Sequence, residues 1–467
     1  MVQEHGQRDL VLLVRDRLLP VRIAAVRRHE GHQEDLADRP GLTLLSPGGS
    51  SPEPPVFSFS KDSIMTGPLS HLRVLDLSRV LAGPWAGQLL ADMGAEVIKV
   101  ERPGEGDDTR GWGPPFLKDG QGGDTGEAAY FLSANRGKRS VTIDFTQAQG
   151  QELVRRLAAR SDVVLENFKV GGLAKYGLDY ASLKAVKPDL VYCSITGFGQ
   201  DGPYAQRAGY DFLIQGMGGL MSLTGEPGGQ PMKVGVALTD IFTGMYAGFA
   251  ILAALAKRDR TGEGSQIDLA LLDVQVAVLA NQATNYLVGG ATPKRLGNAH
   301  PNIVPYQAFA TADGHIILAV GNDGQFRRFC HTAGRPELGA DPRFATNVER
   351  VRNRAELVPL LEALLTSRPS ARWIAELEEA GVPCGPINDL ANVFADPQVI
   401  HRGLRTRLDH PLAGGIDLVA NPIRFDGAQA LSDRAPPLLG ADTAEVLGGW
   451  LGMGADEMER LRENGVV

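Results

Sequence analysis

The residues Gly197-Phe198-Gly199-Gln200-Asp201-Gly202 form a GxGxxG directly after the apolar run "LVYCSI". Such glycines can cradle a dinucleotide pyrophosphate when they sit at a first strand-to-helix turn, open a helix, and precede an acidic residue about twenty positions on. Here Gly202 is followed by Pro203 and the polar, irregular "YAQRAGYD", so no helix N-terminus is placed to receive a pyrophosphate. The remaining reading is a glycine-rich turn at the carboxyl end of a parallel strand, where open α/β sheets put their ligands. Asp240, at the head of the apolar segment 240–257, is a second group able to do chemistry. A helix N-terminus favours an anion by about 0.3–1 kcal/mol, which would keep a carboxylate there ionised. An N-cap would select Asp at the same place.

The elements that must position these groups repeat in order. "RVLDL" (73–77), "GPWAGQLLADMG" (83–94) and "AEVIKVE" (95–101) read as strand, helix, strand, with Pro84 in a first turn and Gly94 at the stop. The pattern returns as helix 150–161, strand 162–167, helix 180–188 and strand 189–195. Strands apolar on both faces suit a sheet covered on both sides, so an α/β, doubly wound, Rossmann-like parallel sheet is expected. Residues 240–257 are apolar nearly all round, with Gly244, Ala247 and Gly248 permitting close approach, and predict a buried helix. From about Ile303 to Pro397 a hairpin, "PYQAFATADGHIILAVG", and three helices predict a smaller α+β domain. The tail, 400–467, reads as short strands and the Pro-rich "RAPPLLG".

Composition narrows the function. The chain has 467 residues and a net charge of −8, a balance that disfavours nucleic acid as a partner. No apolar run reaches the roughly 18 residues of a membrane span. Cys193, Cys330 and Cys384 lie far apart, which argues against a disulfide framework or a metal site and for a reducing, cytoplasmic setting. Residues 1–64 combine an Arg-rich apolar stretch with "SPGGSSPEPPVFSFS", read as an irregular, disordered leader. Asp9, Asp16, Glu30, Glu34, Asp35 and Asp38 argue against a transit peptide, and Met65 is the expected natural start.

Seven ordered stretches carry a resemblance: "LDLSRVLAGPWAGQLLADMGAEVIKVERPGEGDDTR", "NRGKRSVTIDF", "VVLENFKVGGLAKYGL", "LVYCSITGFGQDGPY", "GYDFLIQGMGGLMSLTGEPGGQP", "GVALTDIFTGMYAGFAILAAL" and "GVPCGPIND". From about residue 68 onward the chain resembles the class III coenzyme A transferases of CaiB/BaiF type, relatives of formyl-CoA transferase. "RLGNAHPNIVPYQAFATADGH" and "NVFADPQVIHRGL" look most like the succinyl-CoA:glutarate CoA-transferase branch. The resemblance implies a large CoA-binding domain from 68–300 and 398–467, a small domain over 303–397, and two ring-shaped subunits interlocked as a homodimer. It also implies CoA as a substrate, with no permanently bound cofactor.

By the same resemblance Asp240 is the nucleophile. Exchange of CoA between acids without ATP needs a covalent carrier that keeps the thioester's energy, here as an aspartyl anhydride and an aspartyl-CoA thioester. Asp211, in "GYDF", matches an orienting carboxylate, and can equally be read as a loop acid accepting backbone hydrogen bonds. CoA contacts are implied for Leu81, Ala82, Arg102, Ile143, Asp144, Thr146, Asn167, Phe168, Lys175 and Tyr210. Leu81 replaces the glutamine of formyl-CoA transferases, and Lys175 stands where some members have arginine. Arg110, Lys138 and Arg139 are further basic candidates. Where those enzymes close four glycines over the active aspartate, this chain has His300-Pro301-Asn302-Ile303, which predicts a stiffer lid and disfavours formyl-CoA and oxalate. Arg79, Arg207 and the 298–302 loop are candidates for a dicarboxylate's distal group. The competing reading, an α-methylacyl-CoA racemase, needs a histidine base where Tyr210 stands, and a phenol with a pKa near 10 is a poor base. A non-catalytic CoA-binding protein would keep the phosphate contacts and lose the nucleophile, and a dehydrogenase would bind a nicotinamide dinucleotide.

Overall fold

Six short strands make one parallel sheet: β1 (Arg73–Asp76), β2 (Glu96–Glu101), β3 (Lys138–Thr142), β4 (Val163–Glu166), β5 (Val191–Thr196) and β6 (Ser265–Ala270). This computed structural model describes residues 67–467, and the leader expected over 1–64 lies outside them. The strand order is β3-β2-β1-β4-β5-β6, parallel throughout. That order reverses direction between β1 and β4, and the reversal opens a crevice at the carboxyl ends of those two strands. Alternate residues feed two cores, as the strand period of two requires. Leu75, Ile98, Val141 and Val164 face α2 (Ala148–Ala158) and the C-terminal Trp450 and Val466. Val74, Val97, Val163 and Val191 face α1 (Ala82–Asp92) and α4 (Leu238–Thr261).

A second, antiparallel sheet holds β7 (Tyr306–Ala310), β8 (His315–Ala319) and β9 (Cys384–Pro386), with β8 in the middle. Its core draws on residues between Val304 and Val382, with Phe309, Phe326, Trp373 and Leu377 fully buried. The described residues together form one compact unit.

Four sequence expectations need correction. Strand β3 was not anticipated, because "KRSVT" opens on two cations, yet Lys138 is 0% exposed and its ammonium lies 2.9 Å from Asp76. The tail adds two helices to its short strands, α5 (Thr443–Leu451) and Ala455–Glu463. Val446, Leu447 and Trp450 of α5 pack into the first core, and this burial outweighs the cost of Gly448 and Gly449. Helix α4 begins at Leu238, so Asp240 lies in the first turn and is not the cap. The same helix, expected to be buried all round, leaves Met245, Tyr246, Phe249 and Leu252 exposed, Phe249 at 74%. It is long and apolar enough by length and composition to pass for a membrane span, although its uncharged run, bounded by Asp240 and Lys257, stays short of roughly 18 residues. Its other face, including Gly244, Ala247, Gly248 and Ile251, is buried in the protein.

Candidate active site

The crevice at the β1/β4 reversal opens into a cavity of about 480 Å³, in the range that holds small-molecule ligands. Its rim is tied across the reversal. The Arg79 backbone N–H donates to Asn167 Oδ1 at 2.9 Å, and Asn167 Nδ2 donates back to the Arg79 carbonyl at 2.6 Å. Between β1 and α1, Val80 has φ +71°, an unusual conformation for a β-branched residue. Its N–H donates to Asp107, 3.2 Å from Oδ1. Asp107 is itself fixed by Lys99 at 2.8 Å. Burial would raise the Asp107 carboxyl, but Lys99 and the hydrogen bonds from Lys99 and Thr109 hold it down at about 2.

Asp240 and all ten residues assigned to CoA line this one cavity. Leu81 and Ala82 come from the start of α1, and Arg102 follows β2. Ile143, Asp144 and Thr146 follow β3, while Asn167 and Phe168 follow β4. Lys175 comes from the turn beyond, and Tyr210 from the loop before α3 (Asp211–Met217). Arg79 and Arg207 also line the cavity. Arg102 pairs with Glu105 at 2.6 Å and Arg79 with Asp108 at 3.0 Å, all four side chains being largely exposed. Lys175 lies over the Tyr176 ring.

Other predicted residues are placed elsewhere. Lys138 is committed to Asp76 and Asn135. Arg110 is committed to Glu101 and Glu127, and Arg139 to Glu96 and Glu445. None of these three cations lines the cavity. His300 and Asn302 do not line it either. Asn302 donates its N–H to His300 Nδ1 at 3.0 Å and accepts from Asn285, while Arg354 grips the carbonyls of His300 and Pro301. Burial and the Arg354 charge push the His300 imidazole below its usual value. The GxGxxG residues form a turn, with Gly199 and Gly202 at φ +94° and +84° and no helix before Asp211.

The electrostatics of Asp240 differ from the sequence expectation. Burial, and then the neighbouring Asp211 charge, raise its carboxyl to about 7. That displacement from 3.8 corresponds to roughly 4 kcal/mol at about 1.4 kcal/mol per pH unit, against the 0.3–1 kcal/mol of the helix terminus. Desolvation therefore wins, and near neutrality the group stands between its two protonation states. Asp211 Oδ1 accepts from the backbone N–H groups of Thr239 at 2.8 Å and Asp240 at 3.3 Å. It caps the first turn of α4 from outside that helix. Tyr130 was missed by sequence reasoning because "AAYFL" reads as core. Its phenol is raised by burial and then by the charges of Asp240, Asp211 and Asp107.

Residues 69–443 match CoA-transferase family III, and the chain belongs to that family. It is 55% identical over 380 residues to a succinate–glutarate CoA-transferase of Agrobacterium fabrum, a match covering 81% of this chain and 95% of that protein. A succinyl-CoA:glutarate CoA-transferase of Mus musculus is 46% identical over 400 residues, covering 86% of this chain and 90% of the relative. The crystal structure of a CaiB/BaiF family protein from Brucella suis superposes with a TM-score of 0.72 at 55% identity, over 83% of this chain and all of that one. The protein is a CoA-transferase that uses CoA as a substrate.

Proposed function

We propose that this enzyme moves CoA from succinyl-CoA to a dicarboxylic acid, glutarate foremost, with Asp240 as the covalent carrier. The observation that carries the reading is that Asp240, 9% exposed, opens into the same cavity as all ten residues assigned to CoA. The ionised Asp240 attacks the acyl carbonyl carbon, the C–S bond breaks, and CoA leaves as a thiolate. The thiolate attacks the aspartyl carbonyl of the anhydride and expels the donor acid. The acceptor carboxylate then attacks the aspartyl carbonyl of the thioester, the C–S bond breaks, and CoA leaves as a thiolate from a second anhydride; the thiolate attacks the acceptor's acyl carbon and expels the Asp240 carboxylate. Burial excludes water, which would otherwise hydrolyse the anhydride.

In this reading Arg102 and Lys175 meet CoA phosphates, Asn167 and Phe168 bound the nucleotide, and Asp211 orients the nucleophile. Arg79 and Arg207 are the cavity's arginines available to a distal carboxylate. The His300–Asn302 lid acts within the same reading. Residues 68–300 and 398–467 serve as the CoA-binding domain, supported by Trp450 and Val466 lying in its core. Residues 303–397 are the small domain, supported by their separate core. The exposed apolar face of α4 supports a homodimer, and three free cysteines suit the cytoplasm.

The test offers succinyl-CoA with a panel of acids and detects new thioesters by mass. Glutaryl-CoA is expected, and formation of no dicarboxylyl-CoA at all rejects the substrate assignment. Hydroxylamine added during turnover should label Asp240, and Asp240→Asn should lose at least about 1,000-fold in kcat.

A further inference from the structure

Gln215 has no part in the chemistry above, yet it is 0% exposed in the second turn of α3. It lies four residues after Asp211, on the same helix face. Its Nε2 donates to Asp211 Oδ2 at 2.7 Å, and its Oε1 accepts the Val234 backbone N–H at 2.9 Å. The other oxygen of Asp211 takes the Thr239 and Asp240 N–H groups. One amide thus joins α3, the strand of chain leading into α4, and the acid that caps α4.

We propose that Gln215 is the positioning residue that locks Asp211 against the first turn of α4 and thereby aims the Asp240 carboxylate for attack. The inference rests on Asp240 being the nucleophile. A primary amide is the side chain the place requires, because it must donate to a carboxylate and accept from a backbone N–H at once. A buried donor or acceptor left without its partner costs about 1–3 kcal/mol, so the amide is held firmly. Besides burial, the charge that acts on the Asp240 carboxyl is that of Asp211, although Arg79, Arg102, Lys175 and Arg207 line the same cavity. Asp211 stands on α3, and the phenol of Tyr130, on the helix Ala129–Ser133, is raised by burial and then by the Asp240 and Asp211 charges. The helix Leu271–Ala277 supplies the neutral Gln275, which accepts from Thr239 Oγ1, and an exposed Asp273. The only charged residue of α1, Asp92, pairs with Arg136 at that helix's far end.

Two variants test the proposal. Gln215→Leu removes the clamp and lets the Asp211 charge swing away from Asp240. Its kcat should fall about 10–100-fold, with KM for succinyl-CoA within about threefold. The acid limb of its kcat/KM should move to lower pH. Gln215→Glu places a second carboxyl against Asp211, and the pair shares one proton near neutrality, preserving a hydrogen bond. It should retain kcat within about threefold of the parent near pH 7 and gain an alkaline limb where the shared proton departs. A Leu variant with the parent's kcat and pH profile overturns the proposal, and so does a Glu variant without the alkaline limb. If the Leu variant fails to fold, the Glu variant decides alone. Hydroxylamine labelling separates the two claims. No label at Asp240 in the unaltered enzyme removes the nucleophile assignment, whereas normal labelling with unchanged variant kinetics removes only the role of Gln215.

Discussion

In the proposed mechanism Asp240 must be dry enough to protect an anhydride and charged enough to attack, and its burial sets these demands against each other. With its carboxyl at about 7, kcat/KM should fall about tenfold per pH unit below neutrality. Asp211→Asn should move that acid limb to lower pH by about half a unit to one unit, since it removes the second cause of the shift. A limb left in place would show that Asp211 does not act on Asp240 by charge. Because the folded carboxyl titrates above its usual 3.8, its ionisation costs stability, fully above pH 7 and not at all below about pH 4. Asp240→Asn should therefore raise Tm at pH 8 and lose that advantage as the pH falls to 4, as differential scanning calorimetry can read. The resemblance supplied the cavity-lining residues in advance. It could not supply the protonation of Asp240 or the part proposed for Gln215, because the first arises from burial and the nearby Asp211, and the second from Asp211 and Val234 meeting one amide only on folding.

Helices α1 and α4 cross where Gly244 meets α1. A Cβ built there would stand 2.7 Å from the Ala82 carbonyl oxygen and 3.0 Å from Trp85 Cβ. Alanine at a helical glycine ordinarily gains about 0.5–1 kcal/mol. Here the collision is with backbone, and overpacking costs about 1–3 kcal/mol. Gly244→Ala should thus lower Tm and raise KM for the CoA donor, because Leu81 and Ala82 shift with α1. An unchanged or higher Tm would contradict the packing argument. The strand and helix alternation of 73–101 and 150–195 was legible because burial on both faces leaves apolar runs. β3 was not, because its cations are matched by Asp76, Glu96 and Glu445, partners that no local pattern reveals.

At the scale of the molecule, parallel strands were readable from the βαβ pattern, but the β3-β2-β1-β4-β5-β6 order was not. Order follows from which edges pair, and periodicity carries no record of that. The apolar face of α4 belongs to this scale too. If it is covered by a second copy, Phe249→Asp should convert a dimer to monomers in sedimentation velocity and abolish turnover, whereas an unchanged sedimentation coefficient would place the interface elsewhere. One last consequence follows from Arg79 and Arg102, each of which already holds an exposed acid, Asp108 or Glu105. An arriving anion must exchange with these tethered counter-ions. Inorganic phosphate can make one exchange at a time and gains little from it. In the proposed reading a ligand that brings a phosphate to Arg102 and a distal carboxylate to Arg79 on one framework makes both exchanges together, with the chelate advantage of linked contacts. The crevice is thereby biased against the abundant small anions of its surroundings without any feature that excludes them by shape.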